Sequence, residues 1–203
     1  LVSIQAWFAS GSDDEAEYAG SGLTHFIEHM VFKGTPSRKP GEIAKAIDDI
    51  GGNINAYTAH DRTVFFAELP ADEWRTGLAI LADAIQNASF PEQEWEKERE
   101  VILRELAMCR DDPDRRIGEL LMSTAFRVHP SRFPIIGHEP LFQRLTRDDL
   151  TGFYQRRFVP NNMILAVAGA VKPGEIEEAV RSELGRFAPR PIPPAAQPAE
   201  PAP

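Results

Sequence analysis

Gly22-Leu23-Thr24-His25-Phe26-Ile27-Glu28-His29-Met30-Val31-Phe32-Lys33-Gly34 is the stretch on which the fold turns. It carries the spacing H-x-x-E-H inside an otherwise apolar run. Ser21 stands before it as a capping residue and Gly34 after it as a stop, which predicts a helix reaching to about Lys33. On a helix, His25 and His29 lie one turn apart and can present both imidazoles to one ion. Glu28 sits in the same turn, close enough to hold a water molecule without being a ligand. Two neutral nitrogens and a carboxylate base are the core of a hydrolytic zinc site. Leu23, Phe26, Ile27, Met30 and Val31 make most sides of this helix apolar, so it is expected to be buried.

Upstream, Val2, Ile4, Ala6 and Phe8 alternate with Ser3, Gln5 and Trp7 as in a half-buried strand, and Gly11 to Glu15 is turn-like. A chain opening inside a strand reads as a trimmed or processed product, so the lack of a leader carries no information. Downstream, Ile43, Ile47 and Ile50 predict a helix over 41–50 that stops at Gly51-Gly52. Strands follow at Asn53–Thr58 and Thr63–Leu69, joined by a short polar link. Helices are predicted at 71–87, 91–111, 114–128, 147–157 and 174–186. Ser89 with Glu92, and Thr146 with Asp149, are read as helix starts of the capping-box type. Met163–Ala168 reads as a buried strand, and Trp7, Trp74 and Trp95 as core residues. From Pro189 the composition is Pro and Ala, an extended linker that should not pack. The division is therefore a domain over 1–188 and a linker over 189–203, with a further domain expected beyond.

The 203 residues are 42% hydrophobic and 26% charged, enough for one sizeable core. A net charge of −9 argues against nucleic acid or an anionic membrane as partner. No apolar run approaches a membrane span. Cys109 is the single cysteine, so no internal disulfide can form.

A catalytic zinc ion usually takes three protein ligands. The helix over 91–111 is the place to look, because its 3-4-3-4 stripe reads Trp95, Glu98, Ile102, Glu105, Cys109. Core stripes are apolar, and a buried carboxylate needs a cation or strong donors facing it. Glu105 has apolar Val101, Ile102, Leu103 and Leu106 around it. Glu98, on a highly charged stretch, could equally sit on a wet face. Cys109 is the rival ligand, although a lone buried cysteine more often packs. His60, His129 and His138 read as non-ligands in loops or at helix ends.

These residues resemble a known family. The chain is similar to the N-terminal domain of inverzincin metallopeptidases, the group of pitrilysin, insulin-degrading enzyme and, most closely, the mitochondrial processing peptidase beta-subunit with its bacterial relatives. The similarity runs through Gly22–Thr35, Gly51–Thr58, Glu100–Glu105, Asp111–Pro113 and Pro160–Met163 in the same order. It implies an α+β fold of helices packed on a mostly antiparallel sheet. It places the third ligand at Glu105, a supporting outer carboxylate at Glu98, and one Zn2+ per domain. It implies that a substrate peptide adds to an edge strand at Asn55, Ala56 and Tyr57. The family's opening strand and its second homologous half, which closes over the site, have no counterpart in these residues.

The expected activity is that of a zinc metalloendopeptidase acting on peptides or unfolded segments, with Glu28 as the base that activates water. The second half belongs to the same chain or a partner subunit. Two other readings compete: a non-catalytic assembly or binding subunit of the same fold, and a zinc lyase with Cys109 as ligand. Retention of Glu28 beside three ligands speaks against the first, and the remaining motifs speak against the second. The compartment is left open, cytoplasm or periplasm for a bacterial relative.

Overall fold

The computed structural model describes residues 1–194 and 198–201. Four strands form one antiparallel sheet: β1 (Val2–Phe8), β2 (Asn53–Thr58), β3 (Thr63–Leu69) and β4 (Met163–Gly169), in the order β2-β3-β1-β4. Eight helices are found among the described residues: α1 (Leu23–Val31), α2 (Glu42–Asp49), α3 (Trp74–Asn87), α4 (Glu92–Asp111), α5 (Pro113–Ala125), α6 (Glu139–Phe142), α7 (Arg147–Arg157) and α8 (Pro173–Leu184). None is long and apolar enough to cross a membrane. The architecture is α+β, with helices packed on an antiparallel sheet.

Alternation decides which face of the sheet is covered. Val2, Ile4, Ala6 and Phe8 of β1 are fully buried beside Phe65, Ala67 and Leu69 of β3. Against them pack α1, whose Leu23, Phe26, Ile27, Met30 and Val31 are fully buried, and α3 through Leu78, Leu81 and Ile85. The opposite face carries Ser3, Gln5 and Trp7. Trp7 is therefore half-buried rather than core; it meets Tyr57 edge-on at 6.2 Å between ring centroids, under the Arg62 guanidinium. Trp74 and Trp95 are buried as expected. Met163–Ala168 is corrected as well. Ile164, Ala166 and Ala168 of the edge strand β4 lie opposite Trp7, Gln5 and Ser3 on the uncovered face of the sheet, and Ile164 is 72% exposed.

Two expected caps do not form. The α1 N-cap is Gly22 at φ 74, and Ser21 is buried with no partner for its Oγ among the described residues. The first turn is capped instead by Glu15, whose Oε1 accepts from Thr24 N–H at 2.9 Å and Thr24 Oγ1 at 2.7 Å. A carboxylate at a helix N-terminus is favourable to both the free N–H groups and the helix dipole. Ser89 is likewise occupied elsewhere, giving its N–H and its Oγ to the Gly34 carbonyl, each at 3.0 Å, and α4 starts after Pro91. The capping box of Thr146 and Asp149 forms as expected.

The N-terminus of α1 is pressed against residues 134–138. A Cβ on Gly22 would lie 2.1 Å from Ile136 O, and one on Gly137 would lie 2.4 Å from the Ser21 carbonyl carbon. Both are glycines at positive φ, and His138 N–H donates to Gly20 O at 2.8 Å across the same seam. The end segment is free of helix and strand among the described residues, but it touches the domain. Arg190 exchanges hydrogen bonds with Asn161, and Glu200 accepts from the N–H groups of Arg127, Val128 and His129. The expectation that it leaves the domain without packing is corrected at these two points.

Candidate metal centre

Helices α1 and α4 meet through an apolar pair that sets their register. The Phe26 ring stacks on Trp95 with centroids 4.3 Å apart, and Phe26 also meets Phe142 at 5.2 Å. Phe26 follows His25 directly, so seating it on Trp95 turns His25 and His29 toward the far half of α4. There the ligand atoms of His25, His29 and Glu105 all lie within 4.8 Å of one another. Glu105 Oε2 is 3.8 Å from His25 Nε2 and 3.7 Å from His29 Nε2. Ligands near 2 Å from a tetrahedral ion stand a little over 3 Å apart, so a small closure of this triangle would bring it to the spacing of a zinc site.

The residues fit the ion chemically as well. Burial holds the His25 imidazole down at about 3, helped by the neighbouring His29 and Arg115 charges, so it stays neutral and able to ligate. His29 Nδ1 lies 3.1 Å from Glu98 Oε2, which frees Nε2 for a metal. Burial pushes Glu98 up, but the hydrogen bonds of His29 and Lys33 outweigh it and hold the carboxyl below its usual range. Lys33 Nζ stands 2.6 Å from Glu98 Oε1. Glu98 is thus buried between two donors, and the wet-face alternative is excluded. His25 Nδ1 has no such partner: it is buried and unpaired among the described residues.

Glu28 opens into the same cleft. Burial raises its pKa, against the hydrogen bond from Thr58 Oγ1, which donates to Oε2 at 2.6 Å. The cleft encloses about 440 Å³ and is walled opposite α1 by Met122, Phe133, Ile135 and Ile136. Two imidazoles and two carboxylates gathered in one cleft are groups of the kind that hold a divalent ion and move a proton beside it.

Cys109 is also buried and lines this cleft, one turn beyond Glu105. Its Sγ is not in the converging group among the described residues; it accepts from Arg115 Nη1 at 2.8 Å. His60 lines the cleft but is taken by Ser12 Oγ at 3.0 Å and Asp13 Oδ1 at 3.3 Å. His129 is held by Ser131, and neither His60, His129 nor His138 joins the group.

The edge strand is more selective than expected. Ala59 N–H bonds to Arg62 O at 2.8 Å, and the register runs unbroken from Thr58↔Thr63 to Asn53↔Glu68. Alternation then turns the main-chain groups of Asn55 and Tyr57 toward β3 and those of Ile54, Ala56 and Thr58 toward the open edge. Of Asn55, Ala56 and Tyr57, only Ala56 offers a peptide group to an incoming strand, and its N–H is covered by Asn55 Oδ1 at 2.9 Å. Lys33 and Thr58 went unnoticed in the sequence. Lys33 sits four residues after His29, one turn on along the helix line. Thr58 shares its strand face with Ile54 and Ala56. Both positions were signals that could have been read.

Residues 1–139 match the family described as "Insulinase (Peptidase family M16)". The chain belongs to peptidase family M16. Residues 144–203 of this M16 chain match the description "Peptidase M16 inactive domain". The two matches meet inside one sheet, because β4 from the second pairs along its whole length with β1 from the first. The chain is 36% identical over 184 residues to an uncharacterized zinc protease of Mycobacterium leprae, covering 91% of this chain and 41% of that protein. It is 36% identical over 180 residues to the probable mitochondrial-processing peptidase subunit beta of Arabidopsis thaliana, covering 89% and 34%. A protease from Helicobacter pylori superposes with a TM-score of 0.93 at 26% identity, covering 98% of this chain and 49% of that one. The chain thus spans less than half the length of these relatives. Its M16 membership makes it a metallopeptidase-type domain of a zinc-dependent hydrolase family.

Proposed function

We propose that this M16 domain is the metal-holding half of a zinc metalloendopeptidase that hydrolyses peptides or unfolded segments. The observation that carries the reading is the convergence of His25, His29 and Glu105 beside a half-buried Glu28 in one cleft. His25, His29 and Glu105 would hold the ion, one per domain, and Glu98 would fix the His29 tautomer. The bound ion supplies Lewis acidity toward water and the scissile carbonyl. Glu28 takes the proton from the attacking water and delivers it to the leaving amine, and its raised pKa suits a group that must both accept and release. The peptide adds to the open edge of β2 through Ile54 and Ala56, with Asn55 swinging off the Ala56 N–H. A second homologous half, in the same chain or on a partner, completes the enclosure.

The test compares metal content and peptide hydrolysis of the full-length protein with its Glu28→Gln variant. Glu28→Gln should keep its zinc and lose turnover by at least about a hundredfold. Equal turnover in both would sink the reading. Retention of Glu28 beside the full ligand set favours catalysis over a purely assembling role.

A further inference from the structure

Thr58 is the residue at which the strand edge and the zinc helix meet. Its side chain lies on the helix-facing side of β2, and its Oγ1 donates the 2.6 Å hydrogen bond to Glu28 Oε2. Its main-chain groups face the open edge, in line with those of Ala56 and Ile54. The edge available to an incoming strand therefore runs straight into the residue that holds the base. β2 itself is held by β3 on one side only, with Ile54, Ala56 and Thr58 forming its inner face. A peptide seated on Ala56 is then registered against Glu28 by two residues of one rigid strand. No other side-chain donor reaches Glu28 among the described residues.

Resting on the peptidase reading above, we infer that Thr58 is a positioning residue: it fixes the Glu28 carboxylate relative to the peptide-binding edge of β2. A side chain of this kind orients the base without touching substrate or metal. Its loss leaves peptide capture and metal binding intact and lets Glu28 turn away from the reacting water. Misplacing a catalytic group by about 1 Å costs on the order of a hundredfold. The hydroxyl carries this role, so serine can replace threonine and valine, its isostere without the hydroxyl, cannot.

The experiment uses the full-length zinc-loaded protein as wild type, Thr58→Val, Thr58→Ser and Glu28→Gln, with an internally quenched fluorogenic peptide. Thr58→Val should lower kcat roughly ten- to a hundredfold, with KM within about twofold and zinc still stoichiometric. Thr58→Ser should return kcat to within about threefold of wild type. Wild-type kcat in Thr58→Val, zinc loss in that variant, or a serine variant as slow as the valine one would overturn the inference. Should wild type and Glu28→Gln prove equally inert, the peptidase reading fails, and crystal structures of the zinc-loaded wild type and Thr58→Val decide the positioning role alone. A Glu28 carboxylate displaced in Thr58→Val supports it; one left in place overturns it.

Discussion

Glu15 should make the protein less stable as pH rises, and replacing it should remove that slope. Glu15 is 1% exposed, and its Oε1 accepts from the Thr24 N–H and Oγ1. Oε2 is buried with no hydrogen-bond partner among the described residues. Burial raises its pKa from 4.5 to about 7, overriding the Thr24 hydrogen bonds that act the other way. The unfolded chain titrates Glu15 near its ordinary value, so between 4.5 and about 7 the folded state holds one proton more than the unfolded state. Stability from this group is therefore fully present below the lower value and lost as pH rises through the upper one. The displacement from 4.5 to about 7 corresponds to on the order of 3 kcal/mol. Glutamine mimics the protonated acid and does not titrate. In urea denaturation of the metal-free protein, Glu15→Gln should match wild type near pH 4.5 and exceed it above about pH 7. Taking the difference cancels His25 and every other group common to both. A difference that stays flat across the window, or grows toward acid, refutes the reasoning.

Other expectations concern the metal and the helix pair. Glu98→Ala should weaken zinc binding roughly ten- to a hundredfold by chelator competition, because His29 loses the acceptor that fixes its tautomer. Glu105→Gln should abolish stoichiometric zinc in calorimetric titration while Cys109→Ala leaves it, since only Glu105 joins the converging group. Phe26→Ala should cost about 3–5 kcal/mol in urea unfolding. It should also lower zinc affinity, because the ring that seats α1 on Trp95 is removed. Unchanged affinity in that variant would separate the stack from the site.

Patterns that depend on near neighbours were readable. β2 and β3 begin and end where the alternation places them, and Thr146 with Asp149 caps α7 as its spacing requires. The misreadings come from competition at a distance. Ser21 and Ser89 have cap chemistry in the right places, but Glu15 reaches the α1 N-terminus first and the Gly34 carbonyl claims Ser89. Met163–Ala168 is apolar enough for a central strand, and only the strand order shows that it lies at an edge. Trp7 obeyed its alternation; assigning every tryptophan to the core overrode a pattern that had the answer.

The site shows the same division at finer grain. The H-x-x-E-H turn places His25, Glu28 and His29 together by helix geometry alone, and the two glutamates on α4 stand out because a core stripe should not contain them. The stripe was right in kind and slightly wrong in phase. Glu98 is buried on it, whereas Leu106 takes the buried place and Glu105 sits half-buried at its margin. That offset is what a ligand needs. A carboxylate at the centre of the α1–α4 contact would displace the packing that holds the helices together, while one at its margin can reach His25 and His29 and still leave the cleft open. The apolar pair and the metal triangle thus occupy successive levels of one interface: Phe26 on Trp95 below, His25 and His29 across from Glu105 above. On the proposed reading, an ion would tighten a contact that hydrophobic packing already aligns, because the Phe26–Trp95 stack sets how α1 faces α4.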